Sequence, residues 1–174
     1  MRRKLRSLNR ETLEGGVRVK SAKAMAGQPV ILEGRRIGRV LQVELSEDLT
    51  AMTGLWADCG LKGTRYMTDE QIQLLGDVAV IVKEMGKRRR LGEQTLFRRA
   101  VASDGRRLGA ILDALIDEQT HKVDALLLSE GFLSDLTKGR RAVRQYMVQP
   151  GTGSVVLKSR SDEEGGVEHE GRLD

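Results

Sequence analysis

Nucleophilic, acid–base or metal chemistry needs particular side chains at compatible spacings, and few residues of this chain offer them. Cys59 is the one cysteine. It follows Asp58 with no histidine nearby, so it reads as a small buried hydrophobe and not as a nucleophile. His121 in "DEQTHKVD" and His169 near the C-terminus have no cysteine, histidine or carboxylate at ligand or triad spacing, and both are expected in solvent. Glu47, Asp48, Asp117 and Glu118 fall in two acidic turns, whereas paired acid and base roles need one shared cleft. No catalytic residue, no cofactor-binding residue and no metal ligand is therefore expected.

One stretch invites a phosphate reading, "EGRRIGRVLQVELSED" from Glu33 to Asp48, where Gly34 and Gly38 flank Arg35 and Arg36. A phosphate cradle converges backbone N–H groups at the start of a helix, through GxGxxG spacing or a lysine followed by Ser or Thr. "GRRIG" has neither. Its glycines read as structural, Gly34 at positive φ in a tight turn and Gly38 at a close backbone approach early in a strand.

The stretch occurs twice. "DGRRLGAILDALIDEQ", Asp104 to Gln119, repeats it at an offset of 71 residues, so that Gly105, Arg106, Arg107 and Gly109 match Gly34, Arg35, Arg36 and Gly38. The same register lays "MAGQPVIL" over "LFRRAVAS" and "MTGLWAD" over "VDALLLS". Later, "GDVAVIVK" resembles "GTGSVVLK" at an offset of 75. Each unit is a series of short apolar runs between Gly, Asp, Ser and Glu punctuation, the pattern of antiparallel strands and hairpins. "RRLGAILDALIDE" taken alone has helical spacing, but its counterpart "VLQVEL" alternates as a strand does, and related units share a fold.

Aromatics are only 3% of the chain against 39% apolar residues, so the core must be aliphatic. No apolar stretch is long enough to span a membrane, and no apolar run follows the basic N-terminus; a cytoplasmic protein is expected. The net charge of +5 is segregated. Residues 159–174 hold six carboxylates against Arg160 and Arg172, a balance of −4, and +5 minus −4 leaves +9 on residues 1–158. The cations concentrate near the N-terminus and in "KEMGKRRRLGE", which contains Arg88, Arg89 and Arg90.

The Gly-x-x-Ile/Leu-Gly-x-Val/Ile corner, an apolar strand, an acidic turn, a second strand and the closing "IQLLGDVAVIV" together resemble the PRC-barrel family, which includes the photosynthetic reaction centre H subunit and the C-terminal domain of the ribosome maturation factor RimM. "SEGFLSDLTKGR" is also similar to a stretch of tandem PRC-barrel proteins. The resemblance implies an all-β fold, two small PRC-type β-barrels in tandem. Units of this size have marginal cores, so the barrels are expected to pack with pseudo-two-fold symmetry and an apolar seam. The expected organisation is a basic arm over 1–20, barrels over 21–85 and 96–158, a basic linker over 86–95, and a disordered acidic tail over 159–174.

The functional expectation is a non-catalytic interaction module that binds a protein partner through barrel surfaces. The candidate contacts are Arg35, Arg36, Arg88, Arg89, Arg90, Arg106 and Arg107, with no cofactor. The alternative is RNA or ribosome-precursor binding by the basic turns and linker. Against base stacking, the five aromatics are scattered and lie mostly in apolar runs, where core packing is expected. Weak contact of the basic N-terminus with a membrane surface is a further reading.

Overall fold

The structure is a computed structural model that describes residues 11–12, 18–93, 96–131 and 139–157. The N-terminal basic residues, Phe132, His169 and the acidic stretch 159–174 lie outside the described residues, and with them the expectations of an N-terminal membrane contact and a disordered tail.

The fold is all-β, with two curled sheets that form tandem small barrels. After β1 (Glu11–Thr12), β2 (Arg18–Ser21) and the single-turn helix α1 (Ala22–Met25), the first unit runs through β3 (Pro29–Leu32), β4 (Arg35–Leu45), β5 (Met52–Asp58), β6 (Thr64–Thr68), β7 (Ile72–Leu75) and β8 (Val80–Val82). The linker strand β9 (Lys87–Arg88) follows. The second unit repeats the series as β10 (Arg99–Ala102), β11 (Arg107–Asp117), β12 (Val123–Ser129), β13 (Arg141–Val143), β14 (Tyr146–Val148) and β15 (Val155–Leu157). The segment that alone had helical spacing is thus strand β11.

The pairing is repeated as well. The first sheet is ordered β7-β8-β3-β4-β5-β6-β9, and the second runs β14-β15-β10-β11 with β12 on β11 and β13 on β12. In both, the closing strand returns parallel to the opening one, β8 on β3 and β15 on β10. Bulges recur at matching places, at Leu41 between Val40 and Gln42 and at Leu112 between Ile111 and Asp113. Such bulges sharpen the coiling that curls so small a sheet.

The corners behave as their glycines require. Glu33 and Gly34 both have positive φ, 50° and 74°, which makes the tight two-residue turn that matches strand twist. In the second unit only Gly105 is left-handed, at 84°, in a longer turn. That extra residue corrects the sequence register by one. Val30 pairs with Gly38 while Ala100, not Val101, pairs with Gly109, so the offset in this strand is 70. Gly38 and Gly109 lie where a β-carbon would collide with the carbonyl oxygens of Asp58 and Ser129.

The two units share one continuous apolar core. Met25, Val30, Leu55, Leu75, Ile111, Leu126 and Val155 are fully buried within it. Their contact is symmetric: Ala51 bridges Lys122, its own counterpart, while Met52 N–H donates to His121 O and Val123 N–H donates to Thr50 O. A pseudo-two-fold axis therefore passes between Ala51 and Lys122.

The lead-in segments are exchanged. β2 precedes the first unit yet pairs with β11 of the second, Leu115 opposite Ser21 and Asp117 opposite Val19. Val19 closes a separate apolar cluster with Leu115, Ala125 and Leu127 on the outer face of that sheet. Reciprocally, the linker ahead of the second unit covers the outer face of the first, where β9 pairs with β6 and Gly92 lies against the Trp56 ring. The boundary between arm and first barrel at residue 20 thus falls inside a strand.

Candidate functional site

The arginines singled out by sequence are all exposed, and they occupy three places. Arg35 and Arg36 open β4, and Arg106 and Arg107 form the matching corner on the other sheet. Arg106 is held to Asp104 at 3.7 Å. Arg88, Arg89 and Arg90 lie on the linker. The pseudo-symmetry assigns one corner to each barrel and does not gather the four corner arginines into one site.

Around the linker a larger constellation forms. Arg88 is in register with Arg65 and Lys87 with Tyr66 across the β6–β9 pair. The Arg88 side chain lies over Gly63, and the Arg89 guanidinium stands 5.4 Å from the Tyr66 ring centre. Tyr66 in turn packs on Trp56 with ring centroids 4.8 Å apart and donates its hydroxyl to Glu44. Burial, helped by that bond to Glu44, pushes the Tyr66 hydroxyl up to about 12. Arg65 is committed inward, Nε to Lys62 O at 3.2 Å and Nη1 to Gly86 O at 3.2 Å. Sequence reasoning placed Trp56 and Tyr66 in the core. They are buried, but on the outer face beneath the linker, and the Trp56 indole N–H has no hydrogen-bond partner among the described residues. Phe97 departs further from that expectation, since it is 54% exposed under Lys23.

His121 is a correction. Its side chain is only 12% exposed and its Nδ1 contacts the Asp69 carboxylate of the other unit, in the short turn Asp69–Gln71 that follows β6. It is a joint between the halves and not a bystander. The turn carboxylates are used locally. Asp48 accepts from the Ser46 and Thr50 hydroxyls and the Thr50 N–H, which hold its carboxyl below the usual range. Asp117 accepts from the Thr120 and Gln119 N–H groups, with the same effect. Cys59 is buried, and that burial pushes its thiol up. Among the described residues no group of three or more His, Cys, Asp or Glu side chains could hold a metal.

Two buried charges escaped the sequence reading. Asp113 is 3% exposed and accepts from Ser21 Oγ at 2.5 Å, Lys23 N–H at 3.0 Å and Ala114 N–H at 2.8 Å, so it fastens the start of α1 to β11. Its counterpart Gln42 reaches the other lead-in, donating to Gly92 O at 3.0 Å. Lys20 is also 3% exposed; it donates to Gln28 Oε1 at 2.9 Å and to Gly76 O. Burial lowers its pKa, opposed by Glu118 and Asp77. The available signal was the carboxylate of Asp113 inside the apolar run "LGAILDALI".

Each barrel also ends on an edge strand. β7 and β14 are terminal in their sheets. Leu74 and Met147 occupy matching positions on them, opposite Ile81 and Val156, and are 46% and 64% exposed. Among the described residues no helix is long and apolar enough to cross a membrane. No family model matches the chain, and no curated protein matches it.

Proposed function

We propose that this chain is a non-catalytic PRC-barrel-type interaction module of the cytoplasm, and that it binds a protein partner through the edges of its barrels. The observation that carries the reading is the pair of terminal strands β7 and β14, each presenting an exposed large apolar side chain, Leu74 or Met147, at the same position. Terminal strands offer unpaired N–H and C=O groups, and an extended segment of a partner adds to them with side-chain pockets setting specificity. Two such edges related by the pseudo-axis would receive a partner with a repeated or two-fold motif. The non-catalytic part rests on how the reactive groups are used: Asp48 and Asp117 organise turns, Tyr66 is raised away from neutral pH, and the Cys59 thiol is buried.

The test is recovery of the full chain from its own host at moderate and high salt, alongside a Leu74→Lys/Met147→Lys variant. A stoichiometric protein that stays with the wild type at high salt and is lost from the variant is expected. If the same protein stays with the variant, or if only salt-labile nucleic acid accompanies the wild type, the reading fails.

A further inference from the structure

The fold is doubled, but its charge is not. In the first unit the chain leaves β8 and returns along β6 as a cationic ribbon, with Lys62, Lys87, Arg88, Arg89 and Arg90 all exposed and Arg65 fixed behind them. At the offset of 75 that relates β8 to β15, Asp162, Glu163, Glu164 and Gly165 stand in sequence where the first unit has Lys87, Arg88, Arg89 and Arg90. Among the described residues the ribbon therefore occurs once.

We infer that the β6–β9 ribbon is a binding site for the phosphate backbone of single-stranded nucleic acid, one per chain and without base preference. Three features favour this ligand. The guanidiniums of Arg88 and Arg89 are already placed, over Gly63 and over the Tyr66 ring, so little rotamer freedom is lost on binding. Four exposed cations, Lys87 to Arg90, follow one another along β9 and the chain after it, with Arg65 of β6 in register with Arg88 behind them, so a chain of phosphates can run along the ribbon. The aromatic rings beneath are covered by Arg89 and Gly92, which removes the stacking surface that base readout uses. An acidic protein is a poorer match, since the cores of protein interfaces are depleted of charge and this ribbon is nearly all charge.

The experiment measures fluorescence anisotropy of a short labelled single-stranded RNA of mixed sequence with the full chain across ionic strength. Two variants are compared: Lys87→Gln/Arg88→Gln/Arg90→Gln on the ribbon, and Arg35→Gln/Arg36→Gln/Arg106→Gln/Arg107→Gln at the corners, which removes more charge. Arg89 is left in place because it packs on Tyr66, and a thermal melt of each variant confirms folding. The ribbon variant should bind at least about tenfold more weakly, with a salt slope shallower by about 2, while the corner variant loses less than about threefold. Equal loss in both variants would reduce the effect to net charge and overturn the site. So would absence of wild-type binding, or polyglutamate competing as well as unlabelled RNA. None of these outcomes depends on β7 or β14, so they are separable from the protein-docking test.

Discussion

Gly38 and Gly109 sit where a β-carbon would run into a backbone carbonyl of the adjacent strand, whereas Gly34 and Gly105 have open space around them and need only a left-handed backbone. The two kinds of glycine should respond differently to alanine. Gly34→Ala forces a β-carbon into a left-handed turn and should cost about 1 kcal/mol. Gly38→Ala must push rigid backbone aside, an overpacking cost of about 2 to 3 kcal/mol. Gly109→Ala should cost most, because the same collision is joined by a φ of 149° that side chains avoid. Urea denaturation gives the three values, and any other order would contradict this division of roles. Both roles were legible in "GRRIG" and "GRRLG", since turns and close approaches are local demands on single residues.

At the scale of elements, the exchanged lead-in strand β2 fastens the second unit's sheet to the first unit. Lys20 is its anchor, a buried ammonium bound to Gln28 and Gly76. Its folded pKa is lowered by burial below the ordinary 10.5. Between those two values the Lys20 side chain binds more protons in the unfolded chain than in the folded one, so its contribution to stability should rise with pH through the folded pKa and level off above 10.5. Lys20→Met should abolish that alkaline rise, measured as the free energy of urea unfolding from neutral pH to beyond 10. An unchanged pH profile in the variant would mean that the side chain is solvated. The sequence did not reveal this partnership, because "RVKS" reads only as an extended basic segment, and what it pairs with lies more than ninety residues away at Leu115 and Ile116.

For the whole molecule, the bridge between Ala51 and Lys122, the His121–Asp69 contact and the shared core predict one cooperative unit. Trp56 reports the first unit alone, being the chain's single tryptophan. Its fluorescence transition in urea should coincide with the far-ultraviolet dichroism transition of both units together. Separate transitions would show that the halves unfold independently and that the seam contributes little.

The sequence by itself determined the repeat, the strand character of both units and the corner geometry, because alternation, turn chemistry and glycine placement act over a few neighbouring residues. It also marked Arg88 to Arg90 as cationic. Only the tertiary structure decided the one-residue slip in β10, the burial of Lys20, Asp113 and His121, and which face the linker covers. All but the slip, which lies within one hairpin, depend on which strand edges and outer faces remain open once each sheet has curled, and on residues about fifty to ninety positions apart in the chain. Pairing at that range is settled by the geometry of the assembled sheets, which no local pattern encodes.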